Sequence, residues 1–189
     1  MRPVRCLFLL LMVTLGWPAI GLSNGLGGDF DLTDQDGQAF HLQQLRGKVV
    51  LMFFGYTSCP DICPTGLANM AWVLKRLQNR SDQVQGLFVT PDPERDKPEV
   101  LKNYTRFFNS ELLGLTGTER QIRRVAEQYR VQYRRHQTAN NSYTVDHSSN
   151  LYVLDRNGRL VTMVPYGLPV EHVLALVNRA LDSGLDGQK

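Results

Sequence analysis

FFGYTSCPDICPTGLANM, residues 53–70, sets Cys59 and Cys63 four positions apart, between an apolar run and a segment of helical spacing. Upstream, Val49-Val50-Leu51-Met52-Phe53-Phe54 has the length and the β-branched and aromatic content of a fully buried strand, and Gly55 closes it. Downstream, Leu67, Met70, Ala71, Leu74 and Leu77 recur at three- and four-residue intervals, which predicts a helix beginning near Pro64 with its apolar face toward the sheet. At this separation the two thiols are expected to share one face of a helical turn. The unpaired amides and positive dipole end of a helix N-terminus favour thiolate over thiol. A thiolate is both a soft metal ligand and a redox nucleophile.

Strand, cysteine loop and helix together open a thioredoxin-like α/β unit, and the flanking sequence supplies the rest of a central mixed sheet flanked by helices. Before it, residues 30–33 and 39–42 alternate in polarity around Asp36-Gly37, which predicts an N-terminal hairpin followed by a short helical turn over 42–46. After it come a strand over 84–90, a helix over 97–109 with Val100, Leu101, Tyr104, Phe107 and Phe108 on its apolar side, and a strand over 112–115. Thr118-Glu119-Arg120-Gln121 has the pattern of a capping box opening the next helix, to about Tyr129. Residues 131–135 and 143–145 are expected to pair as an inserted hairpin before His147. Strands over 151–154 and 160–164 flank Asn157-Gly158, and an amphipathic helix over 170–181 completes the fold.

Composition bounds the function classes. The chain has 189 residues, 42% hydrophobic and 21% charged, an ordinary make-up for one well-buried domain. Its formal charge is +3; without Arg2 and Arg5 the basic count falls from 21 to 19 against 18 acids, so neither nucleic acid nor another polyanion is implied as a partner. Residues 1–21 join a basic start to the apolar run 6–17 and small residues at Ala19 and Gly21, the pattern of a secretory signal. An uncleaved membrane anchor is the rival, against which stand Gly16, Pro18 and an apolar run shorter than the roughly 20 residues that span a bilayer. The expected organisation is a signal over 1–21 and one domain over 22–189, exported to a bacterial periplasm, with attachment to the inner membrane as the alternative.

With Cys6 lost when the signal segment is removed, Cys59 and Cys63 are the cysteines that remain. A bond between them closes so small a loop that its entropic stabilisation is slight, so the pair is read as chemistry rather than as a staple. Two other residues stand out. Asp92 lies between Pro91 and Pro93 at the end of the second core strand, where sites assemble in α/β sheets, and the prolines hold its backbone extended. His147 enters the strand over 151–154, at the place that in thioredoxin-like proteins lies against the cysteine loop and bears a cis-proline. No proline occurs here between Pro98 and Pro165. His41, His136 and His172 read as surface residues.

With these residues in place, the sequence resembles the Sco/SenC family of copper-binding proteins associated with cytochrome c oxidase assembly. The resemblance spans roughly residues 28–181 and rests on FGYTSCPDICP, DPERD, LLGLTGT and VDH. It implies that Cys59 and Cys63 are thiolate ligands, that His147 is the imidazole ligand, and that Asp92 binds or supports the metal. It implies one copper per chain, delivered to the binuclear copper site of cytochrome c oxidase, with that copper-site subunit, a copper donor and a thioredoxin-like reductant as partners. Two thiolates suit Cu(I), while an added imidazole and a hard oxygen allow the tetragonal preference of Cu(II). Zinc accepts the same Cys2His set, so ligand type alone leaves the metal open. A thiol-disulfide oxidoreductase needs only Cys59 and Cys63 and is the alternative function. A thiol peroxidase is disfavoured, because Tyr56 and Met52 stand where that pattern has threonine and proline.

Overall fold

The protein is described here from a computed structural model covering residues 26–138 and 142–183; the signal or anchor expected over 1–21 lies outside the described residues. In chain order the elements are β1 (Asp31–Asp34), β2 (Ala39–His41), β3 (Val49–Phe54), α1 (Ile62–Leu77), β4 (Val84–Val89), α2 (Pro98–Phe108) and β5 (Leu112–Thr116). They continue as α3 (Glu119–Gln128), β6 (Tyr133–Gln137), β7 (Tyr143–His147), β8 (Leu151–Leu154), β9 (Leu160–Val164) and α4 (Val170–Ser183). Seven strands form one mixed sheet in the order β2-β1-β5-β4-β3-β8-β9, and β6 and β7 form a separate antiparallel ribbon. The parallel pairings are β3 with β4 and β4 with β5, the remainder antiparallel, which is the thioredoxin-like architecture expected.

The centre of the sheet follows from β3. All six of its residues are buried, as a continuous apolar run must be when helices cover both faces. Its period of two sends Val49, Leu51 and Phe53 into one core and Val50, Met52 and Phe54 into the other. The first core is roofed by α1, α4 and Leu101 of α2, the second by Ile122, Val125 and Ala126 of α3. The two Asp-Gly and Asn-Gly turns are where expected, and the positive φ of Gly37 (76°) and Gly158 (71°) is the conformation those turns require. The capping box is complete: Thr118 Oγ1 accepts from the Gln121 amide and Gln121 Oε1 accepts from the Thr118 amide.

Four expectations need correction. Helix α1 begins at Ile62, not Pro64, so Pro64 is its third residue, still within the first turn where its missing N–H costs no helical bond. Cys63 is therefore in that first turn while Cys59 lies in the loop ahead of it, and the pair does not share a helical face. The inserted hairpin is shifted toward the C-terminus: Val131 is buried against the second core, and β6 and β7 pair from Tyr133 opposite His147 to Gln137 opposite Tyr143. His147 thus terminates the ribbon itself. On α2, Phe107 is 84% exposed and only Leu101 and Thr105 are fully buried, so the apolar side is narrower than its spacing implied.

Candidate metal centre

The cysteine loop is drawn into place by tertiary hydrogen bonds. Gly55 extends β3 by donating to the Val89 carbonyl (3.1 Å), and the Cys59 amide closes a turn onto the Tyr56 carbonyl (3.2 Å). Between them, Thr57 donates from its amide (3.0 Å) and its hydroxyl (2.6 Å) to the carboxylate of Asp96, which also accepts from the Thr90 hydroxyl (2.6 Å). Asp96 is fully buried, and burial raises its pKa against the lowering effect of those donors. Cys63 follows in the first turn of α1, fully buried, and the absence of a side chain at Gly55 makes room for it: a Cβ there would lie 2.7 Å from the Cys63 sulfur.

His147 arrives from the other side. Ser148 ties the end of the ribbon to its start, its amide donating to the Gln132 carbonyl (2.8 Å) and its hydroxyl accepting from the Gln132 amide (3.0 Å). The His147 ring stands edge-on to Phe53 and Tyr56, at centroid distances of 6.2 and 5.8 Å. Its Nδ1 lies 3.0 Å from the Ser148 carbonyl oxygen. A carbonyl only accepts, so that contact assigns the proton of the neutral ring to Nδ1 and leaves the Nε2 lone pair free. Nε2 faces the Cys63 sulfur at 3.1 Å, and burial lowers the His147 pKa, which keeps the ring neutral.

The outcome is that Cys59 Sγ, Cys63 Sγ and a His147 ring nitrogen all lie within 4.8 Å of one another, with both cysteines reduced. Among the described residues this is the one group of three histidine, cysteine or acidic side chains so placed. Two sulfurs and an imidazole nitrogen whose second nitrogen is anchored to a carbonyl is a donor set suited to a thiophilic metal. In the metal-free protein, however, burial is the largest influence on Cys63, the adjoining Cys59 sulfur adds to it, and its pKa is raised. The expected helix-terminus preference for thiolate at Cys63 is overridden, because desolvation of a fully buried sulfur outweighs a terminal dipole.

Asp92 does not join that cluster. It is fully buried at the end of β4, and its carboxylate accepts from Arg95 Nε, from the Tyr143 hydroxyl (2.8 Å) and from Arg135 (3.3 Å). Arg95 also donates to the Tyr143 carbonyl (2.9 Å) and stacks over the Tyr143 ring at 3.9 Å. The short segment from Thr90 to Asp96 therefore works as a bracket. Asp96 grips the cysteine loop through Thr57, and Asp92 with Arg95 grips the β6–β7 ribbon that ends in His147. Asp96, Arg95, Tyr143 and Tyr56 were not singled out from sequence. DPERD marked the segment, yet nothing local tells which of its two acids faces the loop and which the ribbon. His41, His136 and His172 are exposed, as expected.

The SCO1/SenC family model matches residues 20–182 of the chain. An SCO2-like protein of Rickettsia prowazekii is 39% identical over 153 residues, covering 80% of this chain and 75% of that protein. The fold is similar to the copper-bound structure of ScoI from Bradyrhizobium japonicum, with a TM-score of 0.77, 41% identity, and coverage of 83% of this chain and 100% of that one. It is also similar to BsSco, described as having a disulfide switch and as a member of the Sco family of cytochrome c oxidase assembly proteins, with a TM-score of 0.65, 25% identity, and coverage of 85% and 95%.

Proposed function

The chain belongs to the SCO1/SenC family, and from that membership we propose that it is a copper metallochaperone, taking up one copper through Cys59, Cys63 and His147 and delivering it to the binuclear copper site of cytochrome c oxidase. The convergence of the two sulfurs and the lone-pair nitrogen within 4.8 Å is the observation that carries the reading. Cu(I) is served by the two thiolates alone. Cu(II) needs the imidazole as well, so His147 is the residue that lets one site hold both states. Loading displaces the proton held by the buried Cys63 thiol. Release is eased by the half-buried positions of Cys59 and His147, which leave one side of the site open to a partner.

Asp92 is proposed as a positioning residue rather than a ligand, since its carboxylate oxygens are taken by Arg95, Tyr143 and Arg135. The proposed setting is the periplasm, with export through the segment 1–21 or tethering by it. No helix among the described residues is long and apolar enough to cross a membrane.

A second reading has its own support in the proximity of Cys59 and Cys63, whose sulfurs lie within 4.8 Å of one another. As a thiol-disulfide oxidoreductase the half-exposed Cys59 thiolate would attack a partner disulfide and release one partner thiolate. Buried Cys63 would then displace the second, leaving two reduced partner thiols and a Cys59–Cys63 disulfide, a two-electron transfer reset by a thioredoxin-like reductant. His147 separates the readings. In His147→Ala, disulfide formation persists while Cu(II) binding and its thiolate-to-copper absorption are lost. Failure of that variant to support oxidase assembly in cells is the expected result, and full assembly would overturn delivery through this histidine.

A further inference from the structure

The formal charge of +3 on the whole chain conceals a local concentration. Residues 119–135 carry six arginines against two glutamates, a net of +4, so the remainder sums to −1. Arg120, Arg123 and Arg124 on α3, Arg130 in the turn after it, and Arg134 on β6 are all exposed. None of these five forms an ion pair with a described residue, whereas Arg135 is held by Asp92, Glu94 and Glu119. Helical spacing places Arg120 and Arg123 on one outward face of α3, opposite the buried Ile122, Val125 and Ala126.

That face borders a cleft of about 930 Å³ between α3 and the β6–β7 ribbon. Arg123 and Arg134 line it, and it reaches His147 and Ser148. Two acids, Glu127 and Asp146, also line it and match those two arginines, so the positive excess lies in Arg120 and Arg124 on α3 and Arg130 in the turn after it. A cleft that ends on a proposed metal ligand, beside this arginine-rich surface, is placed to guide whatever meets that ligand. We propose that the cleft is the docking surface for an acidic polypeptide segment of the protein that exchanges with the Cys59–Cys63–His147 site, an inference that rests on the exchange function argued above. An extended chain can enter such a recess and bring its own ligand atoms to His147; a planar anionic bilayer would touch the rim arginines only. Opposite charges across such an encounter act mainly on the association rate and fade as salt screens them.

The test uses the reduced, metal-free protein and the fluorescence anisotropy of a labelled Glu/Gly peptide, with a Gln/Gly peptide of equal length and vesicles of phosphatidylcholine with phosphatidylglycerol in parallel. The Glu/Gly peptide is expected to bind at low salt, to weaken about tenfold at physiological ionic strength, and to weaken a further tenfold or so when Arg123→Glu and Arg134→Glu are combined. Arg179→Glu, on exposed α4 over the opposite face of the sheet, is expected to change nothing. The milder pair Arg123→Gln with Arg134→Gln should fall between, which keeps the reading secure against misfolding of the reversal. Equal binding of the two peptides, an equal effect of Arg179→Glu, or binding to the vesicles without binding to the Glu/Gly peptide would each overturn the proposal. Because no copper is present, failure of the unmutated protein to bind the Glu/Gly peptide despite intact copper uptake refutes the docking surface alone, and peptide binding without copper uptake refutes the copper reading alone.

Discussion

Replacing Asp92 by alanine removes the acceptor at the centre of the bracket without touching a proposed copper ligand. The Tyr143 hydroxyl and Arg95 Nε lose their shared partner, inside a pocket where the carboxylate itself is wholly buried. Breaking a fully buried ion pair costs about 3–5 kcal/mol. The cost here is smaller, because Arg95 keeps the Tyr143 carbonyl at 2.9 Å, Arg135 keeps Glu94 at 2.9 Å, and the two arginines are 27% and 30% exposed. A loss of about 2–3 kcal/mol follows, worth roughly 5–10 °C in melting temperature for a domain of this size. The ribbon that ends in His147 is loosened in the same step, so Cu(II) affinity should fall about 10–100-fold, as for loss of a group that orients a metal ligand. Cu(I), held by the two sulfurs, should be affected less. Thermal unfolding by circular dichroism and competitive titration with each copper ion measure both effects. Undiminished Cu(II) affinity in a variant that shows the melting loss would refute the bracket, and equal losses for Cu(I) and Cu(II) would reduce Asp92 to a folding role.

Gly55→Ala should weaken copper binding and cost about 1–3 kcal/mol by overpacking, since its Cβ would lie 2.7 Å from the Cys63 sulfur and 2.8 Å from Phe88; titration and urea unfolding check it. Asp96→Ala should free the cysteine loop by removing the acceptor of three hydrogen bonds, read as faster hydrogen exchange at the Thr57 amide while the β3 amides stay protected. Because burial raises the Cys63 pKa, copper uptake near neutral pH must expel that proton, so apparent Cu(I) affinity should climb about tenfold per pH unit for each proton displaced; competition titrations across pH follow it. His147 has a pKa lowered below its ordinary 6.5, so its ring is the neutral ligand form above that lowered value, and Cu(II) absorption should persist at pH 6.5 and fade only under more acid conditions.

Much of this was legible from the chain, for reasons that can be named. The run 49–54 and the spacing of Leu67, Met70 and Leu74 announce a buried strand and its helix because sheet and helix periodicities differ, and Asn157-Gly158 announces a turn because glycine accepts positive φ. His147 was legible from its position before a strong strand. What sequence could not supply is longer in range. The Cys59 loop is shaped by Asp96, 39 residues from Thr57, and Asp92 is claimed by Tyr143, 51 residues away, so its carboxylate is drawn from the metal cluster by partners that no local pattern reveals. The raised pKa of Cys63 has a related cause: a helix N-terminus is readable from sequence, but burial of the sulfur in one core with Phe53 and Phe88 and against His147 of the ribbon is not.

The central claim is that copper is held by Cys59, Cys63 and His147 together, and X-ray absorption of the copper-loaded, reduced protein tests it most directly, measured in parallel on His147→Ala. The account predicts two sulfur scatterers and one imidazole nitrogen per Cu(II), with the imidazole contribution absent from the variant; a coordination sphere without sulfur, or one unchanged by His147→Ala, would contradict it.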